Sequence, residues 1–396
     1  MQFGVDNSKK LYNNRIMYKR ILKIPPQLNH SFFLFGPRGT GKTAWIKETF
    51  PGAIYLDLLD TDLYMRLSAQ PTHLEKFIPL NYTGWVLIDE VQRVPNLLNE
   101  VHRLIESKKI RFVLTGSSAR ALRKQGVNLL AGRAYTFHMH PFTYEEIKTN
   151  FDFQKTLTYG LLPTAVNEPE PGLFLESYIY TYLREEILQE GLTRNLGAFT
   201  HFLQAASFSQ GQVLNISSVS RECKLNRKVA ENYFEILEDL LIGSMLPVFS
   251  KRASRRMVAH PKFYFFDTGV FRQLRPKGPL DAPSEIDGAA LETLFLQHLR
   301  AYNDYLGWQS EFYYWRTSNG TEVDFVMYGP KGLFAFEIKR GSVLTPKDFR
   351  GLEAFGADYP EARLFLLSGS PRKEHHRNIE AYPYEEFLKE LPQIIG

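Results

Sequence analysis

The sequence predicts an α/β protein with two α/β parts and a helical region between them. Short apolar runs alternate with helical stretches from Ser31 to about His140, the pattern becomes helical after Pro141, and strands return beyond a stretch rich in Pro and Gly at 275–288. Strands that alternate with helices favour a parallel sheet covered on both faces. We therefore expect four domains, with the bounds 1–140, 141–198, 199–275 and 276–396.

The individual elements follow from the spacing of the apolar residues. In the first part, strands are expected at SFFLFG, AIYLDL, GWVLIDE, IRFVLTG and AYTFHM, and a helix at PNLLNEVHRLIESKK. In the middle, LFLESYIYTYLREEILQE and VAENYFEILEDLLIG have helical spacing, while SMLPVFSK and HPKFYFFD are typical of a hairpin. The last part combines the helices AALETLFLQHLRAYN and FRGLEAFGA with the strands EFYYWR, EVDFVMY, LFAFEIKR and ARLFLLSG. The stretch 275–288 is expected to be a linker.

The composition is that of an ordinary globular protein and excludes several classes. The 396 residues are 44% hydrophobic and 23% charged, and no apolar run is long enough to span a bilayer. The polar N-terminal segment lacks the apolar core of a signal peptide, so we expect a cytoplasmic protein that has no membrane partner. The single cysteine, Cys223, excludes an internal disulfide and a Cys-based zinc site. Because it lies on the apolar side of a predicted helix, we expect a buried structural thiol.

A Gly-rich loop between a strand and a helix carries the strongest functional signal. GPRGTGKT matches G-x-x-x-x-G-K-[ST] after an apolar strand and before a helix. Glycines let backbone N–H groups curl around an anion, and the helix N-terminus adds partial positive charge. We expect Lys42 to reach the β- and γ-phosphates and the Thr43 hydroxyl to ligate Mg²⁺; a chance Gly-rich turn is the alternative. The expected nucleotide contacts are Gly36, Pro37, Arg38, Gly39, Thr40, Gly41, Lys42, Thr43 and Thr115.

Acidic and hydroxyl side chains at the ends of two other predicted strands complete this site. GWVLIDE ends in Asp89, which we expect to hold Mg²⁺ through water, and Glu90, which we expect to orient and polarise the attacking water. An acidic pair that caps a strand is the alternative. In FVLTGSSA, Thr115 or Ser117 is placed to sense the γ-phosphate or position the water, although a plain strand-end turn has the same pattern. The expected cofactors are ATP and Mg²⁺, and Lys42 and Glu90 are expected to be catalytic.

The order of these motifs resembles the AAA-type ATPases. GPRGTGKT, LIDEVQ, LTGSS, LLAGRA and HPFTYEE, followed by the helical YGLLP and YIYTYLREEI, are similar to a bacterial and archaeal family that joins such an ATPase to a C-terminal domain of unknown function. The likeness runs from about Phe32 to Ile187 and extends to EVDF and FEIKR. It implies a homo-oligomeric ring in which an arginine of one subunit contacts the γ-phosphate held by its neighbour. Arg133 is the first catalytic candidate for this arginine and Arg120 the second; solvation or a local salt bridge is the alternative.

Two helices and a hairpin in the middle region have the outline of a winged helix. ISSVSRECKLNRKVAENYFEILEDLLIG predicts two helices joined near 224–226. The apolar side chains of the second helix that are expected to face a core are Val229, Tyr233, Ile236, Leu237 and Leu240. The exposed start of this helix and the basic hairpin tip, to which Lys262 also belongs, predict DNA contacts by Arg227, Lys228, Lys251, Arg252, Arg255 and Arg256. A net charge of +5 is compatible with this partner, although such modules also dock proteins and basic loops are often only solvated.

The last part carries a second acidic constellation. RTSNGTEVDFVMYGPKGLFAFEIKR predicts a hairpin that brings Asp324, Glu337 and Lys339 to one edge of a sheet. Asp324 and Glu337 are candidate ligands of a divalent metal, and Lys339 can orient a water aimed at a phosphodiester. Glu292, on the preceding helix, is placed to complete the ligand set.

The order of these elements resembles the PD-(D/E)XK nuclease core. A helix with Glu, a strand with Asp, a strand with Glu-x-Lys and a further helix follow one another from about Asp287 to Leu367. Val323 stands where the first motif of that core has proline, which leaves activity undecided. The alternatives are an exposed Glu–Lys pair and a nuclease-like fold that is used only for binding.

The sequence therefore predicts a Mg²⁺-dependent, ATP-binding and ATP-hydrolysing AAA-type protein that acts on DNA. The expected fold class is α/β, with a P-loop NTPase parallel sheet, a helical winged-helix region and a restriction-endonuclease-like α/β domain. Metal-dependent DNA cleavage stays open. The alternative is a nucleotide-controlled switch that binds protein partners and whose last domain is inactive. A small-molecule kinase is disfavoured because the acidic pair is present and no acceptor site is evident.

Overall fold

The structure, a computed structural model, describes residues 9–12, 15–25, 27–118, 122, 130, 132–183, 196–251, 257, 260–276, 278 and 282–396. Its internal contacts divide the chain into two units. The first unit contains 22–140 and 236–242, and the second contains 1–21, 141–235 and 243–396. Within the described residues, no helix is both long enough and apolar enough to cross a membrane.

The first unit is built on a five-stranded parallel sheet, as predicted. Its strands are β3 (Ser31–Phe35), β4 (Ile54–Asp57), β5 (Trp85–Asp89), β6 (Arg111–Gly116) and β7 (Ala134–His138). Their order across the sheet is β4-β5-β6-β3-β7, and every pairing is parallel. Parallel strands place their carboxyl ends along one edge, where the loops that follow β3, β5 and β6 meet.

Helices cover this sheet and bury its apolar residues. They are α1 (Lys42–Thr49), α2 (Thr61–Ala69) and α3 (Leu97–Lys108), with 3₁₀ turns at Pro71–Phe77 and Val91–Arg93. In α3, Leu97, Val101 and Leu104 recur at helical spacing and are fully buried, in one core with Ile88 and Leu114 of the sheet. Each such side chain contributes about 1.5–3 kcal/mol on burial. This core fixes the strand ends that carry the polar residues.

The second unit begins with a strand pair that the sequence did not suggest and continues with short helices. The pair is β1 (Lys9–Tyr12) and β2 (Arg15–Tyr18), which are antiparallel. The helices are α4 (Tyr144–Ile147), α5 (Phe153–Tyr159), α6 (Pro163–Asn167), α7 (Pro171–Ser177), α8 (Leu196–Ser207), α9 (Ile216–Glu222) and α10 (Arg227–Asp239), with a 3₁₀ turn at Lys148–Asn150 and a π-helical turn at Tyr178–Leu183. Residues 236–239, at the end of α10, are counted with the first unit. The end of the long helix predicted from LFLESYIYTYLREEILQE lies outside the described residues.

The two predicted helices around the turn at 224–226 are present as α9 and α10. Lys224 takes a left-handed φ of 52° in this turn. Most of the predicted apolar face is buried, namely Tyr233, Ile236 and Leu237 of α10 and Leu240, which directly follows the helix. The prediction for Val229 is wrong: it is 37% exposed, because it lies in the first turn of the helix and the buried face begins only at Ala230. Cys223 is buried, as predicted, and burial raises the pKa of its thiol to about 11.

An aromatic cluster ties these helices to the strand pair that follows them. Phe199 and Phe202 of α8 contact the ring of Tyr233 with centroid separations of 4.8 and 5.1 Å. Phe234 lies between Phe202 and Phe263, at 4.9 and 5.0 Å. Such edge-to-face pairs contribute about 0.5–1.5 kcal/mol each beyond the burial of their area.

The predicted hairpin after α10 is confirmed, but one of its basic residues is not at its tip. Strand β8 (Gly243–Leu246) pairs antiparallel with β9 (Lys262–Phe265), and α11 (Thr268–Leu274) follows. Lys262 is the first residue of β9 and only 2% exposed, so its placement in an exposed basic tip was wrong. Strand alternation turns Lys262 and Tyr264 to one side and Phe263 to the other, where Phe263 packs on Phe234.

The last part of the second unit is a six-stranded mixed sheet with three helices. Its elements are α12 (Pro283–Leu306), β10 (Glu311–Arg316), β11 (Glu322–Gly329), β12 (Gly332–Lys339), α13 (Arg350–Asp358), β13 (Arg363–Ser368), β14 (Glu374–His376), β15 (Ile379–Pro383) and α14 (Tyr384–Ile395). The strand order is β10-β11-β12-β13-β15-β14, with β12, β13 and β15 parallel. Helix α12 begins inside the predicted linker, so the linker was drawn too long at its C-terminal end.

Apolar packing fixes β11 and β12, the strands that carry the acidic residues. The β11–β12 hairpin has the predicted turn, with Phe325 opposite Phe336 and Gly329 opposite Gly332. Leu352 and Phe355 of α13 are fully buried in one core with residues of β10, β11 and β12. Phe387 of α14 contacts the Phe336 ring at 5.9 Å.

Candidate functional site

The Gly-rich loop has the shape that an anion site requires. Gly39 and Gly41 have φ values of 84° and 90°, in the left-handed region where glycine is favoured. A Cβ on Gly36 would lie 2.3 Å from the carbonyl oxygen of Met139, so this glycine permits the close approach of two backbone segments. Thr40 closes the loop by donating from Oγ1 to the Pro37 carbonyl at 2.8 Å.

Lys42 lies inside this loop at the first position of α1. Its Nζ donates to the carbonyl oxygens of Gly36 at 2.7 Å and Pro37 at 3.2 Å, and the residue is only 6% exposed. Gly41 is the N-cap of the helix, so the positive end of the helix dipole lies at the loop that holds the ammonium. Positive charge from two sources therefore converges on the loop, where phosphate oxygens are expected.

Asp89 lies at the centre of a cluster of hydroxyl groups. Its Oδ2 accepts hydrogen bonds from Thr43 Oγ1 at 2.7 Å and from the Tyr55 hydroxyl at 2.8 Å, while its Oδ1 accepts from Thr115 Oγ1. Burial and the charge of Asp89 raise the pKa of Tyr55, so its hydroxyl stays a neutral donor. Oxygen donors from a carboxylate and a hydroxyl are the ligands that Mg²⁺ prefers, and Thr43 and Asp89 therefore suit this ion.

Glu90 is held in place by residues from two neighbouring segments. Its backbone has a left-handed φ of 60°, which is rare for a side-chain-bearing residue and turns the chain sharply after β5. Gln92 Nε2 donates to Glu90 Oε2 at 2.5 Å and to Ser117 Oγ at 3.2 Å. The Glu90 amide donates to Thr115 Oγ1 at 3.3 Å. The carboxylate is thus linked to the end of β6 through an amide side chain.

Two members of this network were not among the predicted site residues. Tyr55 lies on β4, and a lone aromatic in AIYLDL has no motif that points to the site. Gln92 was visible in LIDEVQ, two positions after the acidic pair, but was given no role. Thr115 and Ser117 were expected near the γ-phosphate; here they contact Asp89 and Gln92, so a role as phosphate sensor stays a prediction.

The arginine expected to act between subunits forms a local ion pair. Arg133 contacts the carboxylate of Glu106 through Nε, with 40% of its side chain exposed. The attraction of the arginine lowers the pKa of Glu106. The second candidate, Arg120, lies outside the described residues.

A buried lysine occupies the acidic constellation of the last domain. Lys262 Nζ forms an ion pair with Glu322 and lies 3.8 Å from Asp324 Oδ1 and 4.0 Å from Glu292 Oε2, with 3% of its side chain exposed. Arg316 also approaches Glu322 at 3.1 Å. Neither Lys262 nor Glu322 was predicted here. The position of Glu322 two residues before Asp324 was the available signal, because period two turns both to one face.

Glu337 and Lys339 lie beside this cluster and contact each other, as the alternation of β12 predicts. Lys339 Nζ binds Glu337 Oε1, whereas Glu337 Oε2 is buried and has no hydrogen-bond partner among the described residues. Burial and the charge of Asp324 raise the pKa of Glu337 well above its ordinary value, and they raise the pKa of Glu292 to about 7. Asp324 Oδ2 accepts from the Ile338 amide at 2.8 Å.

The metal site expected at Asp324 and Glu337 does not fit this arrangement. Across the described ranges, no group of three or more His, Cys, Asp or Glu side chains is placed to hold a metal ion. The physical reason lies in the partners of the oxygens: the Lys262 ammonium faces Asp324 Oδ1, and backbone and lysine donors engage Asp324 Oδ2 and Glu337 Oε1. We derive no catalytic step through such an ion.

The basic residues expected at a DNA surface are only partly described. Arg227 and Lys228 are exposed at the start of α10, where Arg227 Nε contacts Glu231 at 2.9 Å. Lys251 is also exposed and lies 3.0 Å from Glu311. The other predicted contacts, Arg252, Arg255 and Arg256, lie outside the described residues.

Family models match three successive parts of the chain. The model described as an AAA domain matches residues 29–148, which include the whole loop and the Asp89 cluster. The first unit carries an AAA-family P-loop ATPase domain. C-terminal to this AAA domain, residues 150–281 and 287–387 match two domains of unknown function, DUF8612 and DUF4143. Lys262 therefore falls in the second matched region, and the carboxylates around it fall in the third.

Two proteins with related sequences are similar to a large part of this chain at low sequence identity. An uncharacterized protein of Mycobacterium tuberculosis is 26% identical over 314 residues, which cover 77% of this chain and 70% of that protein. An uncharacterized protein of Haemophilus influenzae is 25% identical over 209 residues, or 48% of this chain and 52% of that protein.

Two of the solved structures that are similar to this chain, both with low TM-scores, are those of proteins whose names refer to DNA. The Aeropyrum pernix Orc1 protein, solved in complex with DNA, has a TM-score of 0.28 and 13% identity, covering 68% of this chain and 88% of that chain. The Bacillus subtilis DNA clamp loader delta protein has a TM-score of 0.24 and 14% identity, covering 52% and 83%. At these scores, neither likeness carries a conclusion about this protein.

Proposed function

We propose that the AAA domain binds ATP with Mg²⁺ and hydrolyses it. The observation that carries this proposal is the hydrogen bond between Thr43 and Asp89, which joins the Gly-rich loop to the acidic end of β5 at the edge of a parallel sheet. A chance Gly-rich turn would not bring a buried lysine, a helix N-terminus and a buried carboxylate to one place.

The roles of the residues follow from their contacts. Backbone N–H groups of the loop and of α1 bind the phosphates, and Lys42 exchanges its carbonyl partners for phosphate oxygens. Thr43 and Asp89 would hold Mg²⁺, which neutralises phosphate charge when it is bound. Glu90 polarises the attacking water, and Gln92 sets the orientation of the Glu90 carboxylate.

ATP binding and turnover by three variants test this proposal. Lys42→Ala is expected to lose ATP binding, whereas Glu90→Gln is expected to bind ATP and turn it over about 10²–10⁴-fold more slowly. Lys108→Ala removes the same charge from the surface of α3, where Lys108 pairs with Glu75, and is expected to behave as wild type. Equal ATP binding by Lys42→Ala and Lys108→Ala would contradict the proposal.

We further propose that DNA is the partner on which ATP turnover acts. What supports this is the succession of two helices and a hairpin, which resembles a winged helix, with Arg227 and Lys228 exposed at the start of α10. The competing function is a nucleotide-controlled switch for protein partners. ATPase rates with single-stranded, duplex and branched DNA separate the two, since only a DNA-dependent enzyme is expected to be stimulated.

We propose that the last domain has a nuclease-like core that binds without cutting. Glu292 in a helix, Asp324 in a strand and Glu337-x-Lys339 in the next strand support the likeness. The observation that favours binding over cleavage is the poor fit of a metal among these residues. Incubation with plasmid, linear and branched DNA in Mg²⁺ or Mn²⁺ is expected to give no cleavage. Nicking that disappears in Asp324→Ala and Lys339→Ala would contradict this part.

A further inference from the structure

The acidic centre of the last domain, defined as Glu292, Glu322, Asp324 and Glu337, gathers carboxylates from three elements. Glu292 belongs to α12, Glu322 and Asp324 to β11, and Glu337 to β12. Glu322 and Glu292 have 24% and 20% of their side chains exposed, whereas Asp324 has 12% and Glu337 only 7%. So many carboxylates in one buried place require positive charge.

That charge comes from a strand outside the acidic domain. Lys262 begins β9, and its ammonium lies within 4.0 Å of Glu292, Glu322 and Asp324. The face of β9 is shaped for this centre, because Tyr264, two residues on, donates its hydroxyl to Glu292 Oε2 at 2.6 Å. An ammonium that is 3% exposed stays charged only where carboxylates replace its water.

The position of this ammonium conflicts with a divalent ion. Carboxylates bind Mg²⁺ through oxygen atoms about 2.0–2.1 Å from the ion, so an ion shared by Asp324 Oδ1 with Glu292 or Glu322 would compete for space with the lysine nitrogen, which lies within 4.0 Å of all three carboxylates. Two cations that close, in a buried place, repel strongly. Lys262 also sits where it contacts three carboxylates at once, as a bound cation would.

We infer that Lys262 is the resident cation of the acidic centre and takes the place of a divalent metal. While β9 is paired with β8, the centre is neutralised from within the chain and binds neither Mg²⁺ nor Mn²⁺. The carboxylates of Glu292, Glu322 and Asp324 then form a binding site for a lysine of the preceding region. It joins two parts of the chain that match different family models.

Mn²⁺ binding by the full-length protein tests this inference. Both proteins compared carry Asp89→Asn, which removes the carboxylate expected to hold the metal in the AAA domain, and no nucleotide is added. Free Mn²⁺ is measured by electron paramagnetic resonance during a titration. We expect the same number of bound ions with Asp324 intact and with Asp324→Asn. One ion fewer in Asp324→Asn would show a metal at the acidic centre and overturn the inference.

Removal of the lysine provides the converse measurement. In the same background, Lys262→Met is expected to gain one Mn²⁺ per chain, and the gain is expected to vanish in Lys262→Met/Asp324→Asn. Lys251→Met removes an exposed lysine just after β8 and is expected to gain none. A folded Lys262→Met protein that binds no additional Mn²⁺ would also overturn the inference. If Lys262→Met does not fold, the comparison at Asp324 decides alone.

Discussion

The hydroxyl of Thr43 donates to Oδ2 of Asp89 at 2.7 Å, which joins two residues 46 positions apart in the chain. The same oxygen accepts from Tyr55, and Thr115 holds the other oxygen. A cation that binds between Thr43 and Asp89 must displace the hydrogen bond between them. The hydrogen bonds from Tyr55 and Thr115 then keep the carboxylate oriented. The groups behind a metal ligand commonly set its affinity.

Tyr55→Phe is therefore expected to weaken the response to Mg²⁺. The change removes one donor to Asp89 without altering ring volume. We expect the Mg²⁺ concentration for half-maximal ATPase activity to rise about tenfold, with little change in the rate at saturating Mg²⁺. Tyr135→Phe, at a tyrosine that is 51% exposed, is the control. Identical Mg²⁺ titrations for the two variants would refute the role of Tyr55.

Gln92→Leu is expected to lower kcat for ATP hydrolysis about tenfold and leave KM for ATP nearly unchanged. Its amide orients the Glu90 carboxylate and does not lie in the Gly-rich loop. A tenfold change corresponds to about 1.4 kcal/mol of activation free energy. Gln92→Asn, which keeps an amide, is expected to recover part of the rate, and Gln70→Leu is a surface control. A parallel loss of ATP binding would point instead to local unfolding.

Arg133→Ala and Glu106→Gln separate a role between subunits from a local ion pair. Each variant breaks the contact between Arg133 and Glu106. If Arg133 reaches the phosphate held by a neighbouring subunit, only Arg133→Ala is expected to lose turnover, by roughly 10³–10⁵-fold. Steady-state ATPase rates at several protein concentrations measure this. Equal, small effects in the two variants would assign Arg133 to the local pair.

The triple variant Arg252→Ala/Arg255→Ala/Arg256→Ala is expected to weaken binding to DNA of any sequence. Contacts to phosphate are sequence-independent, and each one lost reduces the slope of log affinity against log salt by roughly 0.9. Fluorescence anisotropy at several salt concentrations gives both quantities. A matched control replaces Arg363, Arg372 and Arg377, whose side chains are 50%, 80% and 72% exposed in the last domain. Wild-type DNA affinity and wild-type salt dependence in the first variant would show that the hairpin does not contact DNA.

Stability is expected to fall in acid through His298. Burial lowers the pKa of His298 from 6.5 to about 4, and its neutral ring accepts from the Tyr144 amide at 2.9 Å. The unfolded chain thus binds the proton first, so folded stability drops as pH falls from 6.5 towards 4, by about 3 kcal/mol in total for this group. Urea unfolding of wild type and His298→Gln at pH 7 and 5 checks this. The variant should show a smaller drop, whereas exposed His102→Gln should match wild type.

The sequence predicts the nucleotide site well because its parts are short and contiguous. GPRGTGKT fixes the loop, the lysine and the helix start together, and GWVLIDE fixes the acidic strand end. All five strands and their parallel pairing followed from apolar runs that alternate with helical spacing. Tyr55 and Gln92 could not be predicted, since their roles depend on which strand ends become neighbours across the sheet.

The acidic centre was predicted on the right strands, but the lysine that lies among its carboxylates was not predicted. Glu292, Asp324, Glu337 and Lys339 do come together, because alternation and element order determine their faces. Lys262 follows a run of basic residues, and local charge therefore suggested solvent. Lys262 is buried because β9 pairs with β8 and lies beside β11. These contacts depend on the tertiary fold and cannot be derived from the local sequence.

The dependence of Glu322 and Asp324 on Lys262 limits how the gene can be shortened. A fragment that starts at residue 287 keeps all four carboxylates and loses the ammonium that accompanies them. A fragment that ends at 281 leaves the same ammonium without its acids. We therefore expect an exchange of either region between relatives to give a folded protein only where the lysine and its carboxylates are exchanged together.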